Sequence, residues 1–136
     1  MKPVVLDTNI IISAALVSVG KPARIIELIS DDNIELIYNN TILNEYENVL
    51  SRERLGFSIE AQRAAVDMIV NKGILIEANV STIPIIDEDD RIFYDTAKTA
   101  NAILITGNKK HFPAEPMVMT PSEFLDSFNK VDFKCE

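Results

Sequence analysis

Cysteine, histidine and glycine are scarce in this chain, and each shortage excludes a class of site. The one cysteine, Cys135, cannot form an intramolecular disulfide, which is typical of a reducing compartment. The one histidine, His111, excludes a multi-histidine metal centre, and the lack of a CxxC pair disfavours structural zinc. The four glycines are too scattered to form a GxGxxG loop or a P-loop.

Long apolar runs are also missing, since no segment approaches the ~18 residues that a membrane-spanning helix needs. The apolar start Val4-Val5-Leu6 is interrupted by Asp7 and Asn9, too early for the core of a signal peptide. We therefore expect a cytoplasmic protein with no membrane partner.

Acidic residues are abundant instead: 21 Asp and Glu face 13 Lys and Arg, a formal net charge of −8. The 136 residues are 47% hydrophobic, which is an ordinary globular composition and enough for one domain with its own core. Because affinity for phosphate comes from Lys and Arg, the acidic balance disfavours tight, non-specific binding to nucleic acid.

Apolar runs that alternate with helical patterns predict an α/β domain with a central, mostly parallel sheet, covered on both faces. We expect one domain over residues 1–130, followed by a C-terminal tail at 131–136. Thr41, Ser58 and Ser122 are the expected helix caps, and 83–86 is expected to be extended. The expected strands, in chain order, are 4–6, 34–38, 74–76, 102–105 and an edge strand that begins at 118.

Polar residues follow the predicted strands at the points where these strands end. Asp7 comes directly after the first strand, and Glu45 lies early in the helix after the second. Asp90 opens the helix that precedes the strand at 102–105, and Thr106 and Asn108 follow that strand. Because ligands bind at the carboxyl ends of parallel strands, we expect these side chains to converge on one site.

Helical spacing directs two of these carboxylates inward. Asp90 shares a face with Phe93 and Tyr94, and Glu45 lies at the margin of an apolar stripe. A carboxylate near a core needs a partner, and no Lys or Arg lies close on those faces, so Mg²⁺ or Mn²⁺ is the natural one. Taken singly, Asp7 can be an ordinary helix cap. The acidic run 87–90 can simply interact favourably with the dipole at the N-terminus of a helix.

Four segments resemble the PIN-domain ribonucleases in order and spacing over about residues 2–128. They are VVLDTN at 4–9, ILNEYENVL at 42–50, DEDDRIFYDTA at 87–97 and ILITGNKKHF at 103–112. More closely, the chain is similar to the toxin components of the PIN family, relatives of the VapC-like toxins. The resemblance implies a three-layer α/β/α fold in which acidic residues hold Mg²⁺ or Mn²⁺ for hydrolysis of RNA phosphodiester bonds.

The resemblance also implies roles for individual residues. Asp7, Glu45 and Asp90 match the acids that bind the metal ion and carry catalysis, and Thr8 and Thr106 match hydroxyl positions that line the family's site. Asn108 stands where many members have a fourth acid, and His111 matches a further acid of the same loop. With three carboxylates rather than four, we expect one firmly held ion, and Asn108 to position the attacking water or a second ion.

Substrate and partners follow from the same resemblance and from nearby positive charge. The substrate is expected to be single-stranded or structured RNA, with Lys109 and Lys110 close to its phosphates beside Thr8 and Thr106. Arg52, Arg54 and Arg91 also lie close in sequence to the predicted site. A solvated loop is the plainer explanation of Lys109 and Lys110. The family implies a cognate antitoxin that covers the site, and it suggests a homodimer.

Other functions remain open at this point. Because Asn108 replaces an acid and acids outnumber bases, a catalytically weak PIN-like domain that binds RNA or a protein is the main alternative. A dehalogenase-type phosphatase needs a second Asp where Asn9 stands, and a response receiver needs paired acids and a Lys that this chain does not place correctly. The leading hypothesis is a metal-dependent endoribonuclease that acts as a toxin.

Overall fold

The computed structural model describes residues 2–135, and the side chains of residues 2–130. The strands of this region are β1 (Val4–Leu6), β2 (Leu36–Tyr38), β3 (Gly73–Leu75), β4 (Ile103–Ile105) and β5 (Val118–Met119). The α-helices are α1 (Thr8–Leu16), α2 (Lys21–Ser30), α3 (Asn40–Leu50), α4 (Ile59–Lys72), α5 (Arg91–Ala100) and α6 (Pro121–Cys135). Short 3₁₀ helices cover Glu53–Leu55, Glu88–Asp90 and Lys109–His111.

The five strands form a single parallel sheet in the order β3-β2-β1-β4-β5. Val4 of β1 pairs with Leu36 of β2 on one side and with Ile103 of β4 on the other. The chain builds the sheet outward through β2 and β3, then returns to the opposite side of β1. This reversal leaves a crevice beyond the carboxyl ends of β1 and β4, the place where parallel sheets bind ligands.

The six helices flank the sheet, so the predicted α/β/α fold with a central parallel sheet is confirmed. Strands β1, β2 and β4 are buried throughout, as their continuously apolar sequences predict for strands covered on both faces. Helix α5 packs on β1, β2 and β4, which brings its N-terminus to the crevice. Edge strand β3 is different, because Ile74 and Leu75 are 43% and 47% exposed.

Two of the three predicted helix caps are wrong. The cap of α3 is Asn39, whose side-chain oxygen accepts a hydrogen bond from the Ile42 amide at 3.0 Å, while Thr41 lies inside the helix. Helix α6 begins at Pro121, so its cap is Thr120, whose hydroxyl accepts from the Glu123 amide at 3.1 Å. Proline at the first helical position places the cap one residue earlier. Ser58 caps α4 as predicted, accepting from the Ala61 amide.

The segment after β3, residues 76–87, contains no strand, although 83–86 was expected to be extended. Side chains of α5 hold this segment instead. Arg91 donates to the carbonyl oxygens of Ser81 and Ile83 at 3.1 and 2.8 Å, and Asp95 accepts from the Ser81 amide at 3.0 Å. Because the backbone groups of Ser81 and Ile83 bond to α5 side chains, this part of the segment does not join the sheet, whereas the Ile76 amide still bonds to the Tyr38 carbonyl of β2.

The C-terminal helix continues past the expected end of the domain at residue 130, since α6 extends to Cys135. Glu136, the last residue of the expected tail, and Met1 lie outside the described residues. No single helix in the described region is long and apolar enough to cross a membrane. Helices α1 and α2 reach that length and composition only when taken together, and they meet at 99°.

Candidate active site

A cleft of about 390 Å³ lies at the carboxyl ends of β1 and β4. Four parts of the chain contribute to it: the start of α1, the helix α3 with the turn after it, the start of α5, and the loop after β4. Most of the predicted site residues are among its lining side chains, which include Asp7, Thr8, Asn9, Glu45, Asp90 and Asn108.

Asp7 is the most deeply placed carboxylate of the cleft, with only 8% of the residue exposed. It directly follows β1 and is the N-cap of α1, where one oxygen accepts from the Thr8 amide at 2.8 Å. Burial raises the pKa of Asp7 above its usual value, against the lowering effect of hydrogen bonds from Thr106 and Thr8 and of the charge of His111. The cap predicted from the sequence is therefore real, and the same residue also faces the cleft.

Thr106 orients the second carboxylate oxygen of Asp7 through a hydrogen bond. It is fully buried just after β4, and its hydroxyl donates to Asp7 Oδ2 at 2.7 Å. The same hydroxyl accepts from the amide of Asn108 at 3.0 Å. The strand order explains this contact, because β1 and β4 are neighbours and Leu6 pairs with Ile105. One side chain thus joins the loop after β4 to the carboxylate after β1.

Asp90 stands at the start of α5, at the end of the short 3₁₀ helix, and its side chain is 19% exposed. Its pKa is raised to about 6, mainly by burial and then by the charges of Asp7 and Asp87. Glu88 and Asp89 do not line the cleft, and Glu88 pairs instead with Arg91 at 2.7 Å. The acidic run 87–90 therefore serves more than the helix dipole, since Asp87 and Asp90 face the site.

Glu45 and Asn108 share the cleft with the two aspartates, but they complete no ligand set. Glu45 is half-buried on α3, and Asn108 is exposed in the loop after β4. Within the described residues, no group of three or more His, Cys, Asp or Glu side chains is arranged to hold a metal ion. The structure thus brings Asp7 and Asp90 close enough for the charge of Asp7 to raise the pKa of Asp90, while Glu45 lines the same cleft from α3.

Two oxygen atoms beside Asp7 suit a hard cation. Thr8 Oγ1 and Asn9 Oδ1 are buried and have no hydrogen-bond partner among the described residues, and both residues line the cleft. Among those residues, His111 is the one side chain whose charge, when it is protonated, lowers the pKa of Asp7 and of Asp90. Carboxylate, amide and hydroxyl oxygens fit Mg²⁺ or Mn²⁺ by type.

Sequence reasoning missed the part that Tyr46 plays. Its ring is fully buried against Phe93, with ring centres 6.2 Å apart, and its hydroxyl donates to the carbonyl of Leu6, the residue before Asp7. Burial and the charge of Asp7 raise the pKa of Tyr46 well above its usual value, so its hydroxyl stays protonated as a donor. No sequence pattern shows which carbonyl a buried hydroxyl meets, so this contact could not be predicted from the sequence.

The basic residues near the site divide into two groups. Arg52 and Arg54 line the cleft together with the carboxylates. Lys109 and Lys110 line a different cavity of about 500 Å³, and the ammonium group of Lys109 lies 3.0 Å from a carboxylate oxygen of Glu123. The arginines after α3 therefore share the cleft with the acidic residues, whereas the lysines that the sequence favoured line a separate cavity.

The family model described as "PIN domain" matches residues 3–110, which contain Asp7, Glu45, Asp90 and Asn108. The chain belongs to the PIN-domain family. The members of this family are nucleases. The aspartates at the carboxyl ends of the sheet therefore lie in the part of the chain that defines the PIN domain.

Two further proteins are similar to this PIN domain. The uncharacterized protein MJ1680 of Methanocaldococcus jannaschii is 30% identical, over 93% of this chain and 92% of its own length. Among solved structures, a chain of VapBC2 from Rickettsia felis, crystallised with a DNA fragment from their promoter, has a similar fold with a TM-score of 0.57. The match covers 86% of this chain and 96% of that chain at 18% identity, so it concerns the fold alone.

Proposed function

We propose that this PIN domain is a metal-dependent endoribonuclease and the toxin of a toxin–antitoxin pair, acting in the cytoplasm. The observation that carries the proposal is the pair Asp7 and Asp90, two carboxylates whose pKa values are raised by burial, with that of Asp90 raised further by the charge of Asp7. Such a pair repels RNA phosphates when no metal is bound. A divalent cation relieves the repulsion and gives the site its chemistry.

Asp7 and Asp90 are the residues that hold the ion in this proposal, with Thr8 Oγ1 and Asn9 Oδ1 as nearby oxygen donors. A divalent cation at such a site supplies Lewis-acid activation of water and of the phosphoryl oxygen. Thr106 keeps Asp7 in a fixed orientation through its hydroxyl. A carboxylate that is already oriented needs little rearrangement to bind, which favours both affinity and rate.

Glu45 and Asn108 are proposed to act on the water rather than to hold the first ion. Both side chains line the cleft, and neither forms a three-residue ligand group with Asp7 and Asp90. The carboxylate of Glu45 can accept a proton from the attacking water, and the amide of Asn108 can orient that water or support a second ion. Glu45→Gln is then expected to lower the cleavage rate more than it weakens metal binding.

Single-stranded or structured RNA is the proposed substrate. Arg52 and Arg54 are placed to meet phosphates on one side of the scissile bond, because they line the same cleft as the carboxylates. Lys109 and Lys110 remain proposed contacts for RNA phosphates farther from the scissile bond. Thr8 is proposed to face the bound RNA. Phosphate contacts of this kind position the RNA without reading its bases.

A cognate antitoxin is the proposed protein partner, and a homodimer is proposed with it. The fold similarity to a chain of the VapBC2 complex supports this proposal, since that protein is a complex bound to promoter DNA. In the cell the antitoxin would have to block the acidic catalytic cleft. A segment with basic side chains that enters the cleft would complement Asp7 and Asp90. Co-expression with the product of a neighbouring small gene tests the pairing.

The decisive experiment is cleavage of single-stranded RNA by purified protein in Mn²⁺, Mg²⁺ or EDTA. Asp7→Asn and Asp90→Asn are expected to abolish cleavage in either metal. Asp89→Asn is the matched control, because Asp89 is the exposed neighbour of Asp90 and does not line the cleft. Cleavage that survives Asp7→Asn or Asp90→Asn would disprove the site.

A catalytically weak domain that binds RNA or a protein is the second candidate function. The specific observation in its favour is the lack of a three-residue metal-ligand group among the described residues, together with the amide at Asn108. This candidate predicts RNA binding without cleavage in every metal tested. A binding assay in Mn²⁺ run beside the cleavage assay separates the two functions.

A further inference from the structure

The sheet has an exposed apolar edge at β3. This strand stands at one end of the strand order, so on one side it pairs with no strand among the described residues. Successive side chains of a strand point to opposite faces, and here both are accessible, since Ile74 is 43% and Leu75 47% exposed. At the opposite edge, Val118 of β5 is only 2% exposed. The edge at β3 is therefore the one that a further strand can join.

The hydrogen bonds of β3 show which of its backbone groups face outward. The Ile76 amide donates to the Tyr38 carbonyl of β2 at 2.9 Å, and Leu75 is paired with Tyr38 in the register of the two strands. Because the backbone groups of successive strand residues point to alternate sides, those of Ile74 and Ile76 face β2. The backbone groups of Leu75 then face away from the sheet, and so does the carbonyl of Gly73.

This outward pattern is complementary to itself. When two β3 strands run antiparallel around a two-fold axis at Leu75, each Leu75 amide meets the Leu75 carbonyl of the other copy. The Gly73 carbonyl meets the amide of Glu77, the next outward residue along the chain. The Gly73 amide needs no partner, because it already donates to the Ile69 carbonyl at the end of α4. Each outward amide between Gly73 and Glu77 thus finds an acceptor.

The side chains fit the same pairing. On one face the two Leu75 side chains lie opposite each other, and on the other face Ile74 lies opposite Ile76 of the second copy. All of these residues are apolar, so the pairing removes exposed apolar area from water and brings no like charges together. A contact that uses the same patch on both chains closes as a two-fold dimer and does not propagate.

We propose that two copies of this chain pair through β3, antiparallel and centred on Leu75, so that their sheets join into one continuous sheet. The occupant of this edge is a second copy rather than a different protein, because the outward backbone groups and the apolar side chains match themselves in a single register. The inference gives the homodimer of the proposed function an interface, and it rests on that part of the proposed function and not on nuclease activity.

Sedimentation velocity of the native protein, without RNA or metal, measures the association. The native chain is expected to form a dimer. Leu75→Lys is expected to raise the dissociation constant of the dimer at least about 10-fold, because two like charges then face each other across the axis. Val19→Lys is the matched control and is expected to dimerise like the native protein, since Val19 is 77% exposed in the turn between α1 and α2. Thermal unfolding checks that Leu75→Lys is folded.

Disulfide formation tests the register of the pair. In a Cys135→Ser background, which removes the one native cysteine, Leu75→Cys places the two introduced cysteines opposite each other. Their Cα atoms are then about 5.5 Å apart, which is within the range of a disulfide. Ile74→Cys is the matched control, because the two Ile74 residues are diagonal neighbours about 7–8 Å apart. Mild oxidation is expected to cross-link Leu75→Cys at least about 10-fold faster than Ile74→Cys.

The other outcomes overturn the proposal. A native protein that stays monomeric at every concentration would exclude the interface, and so would a dimer that Leu75→Lys leaves intact. Faster cross-linking of Ile74→Cys than of Leu75→Cys would exclude the pairing centred on Leu75. Because RNA cleavage is measured separately, a monomer that still cleaves RNA removes the interface and leaves the proposed nuclease, whereas a dimer without cleavage does the reverse.

Discussion

At the scale of single residues, Thr106 is the side chain on which the orientation of Asp7 depends. Replacing Thr106 by Val keeps its shape and removes both the donor to Asp7 Oδ2 and the acceptor for the Asn108 amide. We expect the free energy of unfolding to fall by about 2 kcal/mol, because a buried carboxylate and a backbone amide each lose a partner. Urea unfolding without metal measures this loss.

This prediction attributes the loss of stability to the hydroxyl of Thr106 rather than to the volume of its side chain. Thr106→Ser keeps the hydroxyl and loses one methyl group, so it is expected to retain most of the stability and of the affinity for Mn²⁺. Equal stability of Thr106→Val and the native protein would show that the two hydrogen bonds contribute little.

Asp90 makes a prediction about pH, because its folded pKa of about 6 exceeds the usual value of 3.8. Between these values the folded protein binds more protons than the unfolded chain, so stability falls as pH rises through that window. Asp90→Asn avoids this loss. We expect the variant in EDTA to be more stable than the native protein near pH 7, by about 1 kcal/mol because solvent screens the partly exposed carboxylate.

The difference between Asp90→Asn and the native protein is expected to vanish below about pH 4, where both side chains are uncharged. Thermal unfolding across the pH range measures it. Asp89→Asn is the control, and its stability is expected to follow that of the native protein closely. A gap that stays constant with pH would show that ionisation of the partly buried Asp90, beside Asp7 and Asp87, is not its cause.

At the scale of elements, Asn39 connects α3, α5 and the segment after β3. Its oxygen caps α3 at the Ile42 amide, and its nitrogen donates to Thr96 Oγ1 at 2.8 Å and to the Ile76 carbonyl at 3.2 Å. Asn39→Ala is expected to lower the free energy of unfolding by about 3 kcal/mol, since the cap, one buried hydrogen bond and one partly buried hydrogen bond are lost. Urea unfolding measures the change.

Two variants separate the roles of Asn39. Asn39→Ser keeps a competent helix cap but lacks the amide that donates to Thr96 and Ile76, so its stability is expected to lie between that of Asn39→Ala and that of the native protein. Asn40→Ala is the control, because Asn40 is exposed at the first position of α3. If Asn39→Ser proved as unstable as Asn39→Ala, the tertiary bonds would account for the whole effect.

At the scale of the whole molecule, the net charge of −8 predicts that the proposed RNA binding depends on metal. The double variant Asp7→Asn/Asp90→Asn removes two negative charges from the cleft and with them the ligands of the proposed ion. It is expected to bind single-stranded RNA in EDTA several-fold more tightly than the native protein does, and to gain nothing from Mn²⁺. Fluorescence anisotropy with labelled RNA measures both effects, and weaker binding in EDTA would argue against repulsion at the site.

Salt dependence distinguishes the two basic groups. Each phosphate contact contributes about 0.7 to the slope of log affinity against log salt for a single strand. Arg52→Ala/Arg54→Ala is expected to reduce that slope by about 1.4, because both arginines line the cleft. Lys109→Ala/Lys110→Ala is expected to reduce it less, since Lys109 is already paired with Glu123. Equal slopes for all three proteins would remove both groups from the RNA-binding surface.

Much of the fold was accessible from the sequence, for reasons that lie in local chemistry. The runs at β1 and β4 are apolar at every position, a pattern that is typical of strands buried on both faces. The structure places both strands in the interior of the sheet. The caps of α3 and α6 were less accessible. Asn39, Thr41, Thr120 and Ser122 are all competent caps, and the tertiary bonds of Asn39 and the proline at 121 decide between them.

By itself the sequence determined the parallel α/β fold and the edge of the sheet on which Asp7, Glu45, Asp90 and Asn108 lie, because parallel strands place their carboxyl ends together. Only the tertiary structure decided which of these groups meet. The order β2-β1-β4 sets Thr106 against Asp7, and α5 carries Asp90 close enough for the charge of Asp7 to raise its pKa. Such contacts depend on ångström distances between distant parts of the chain, and no local pattern encodes those distances.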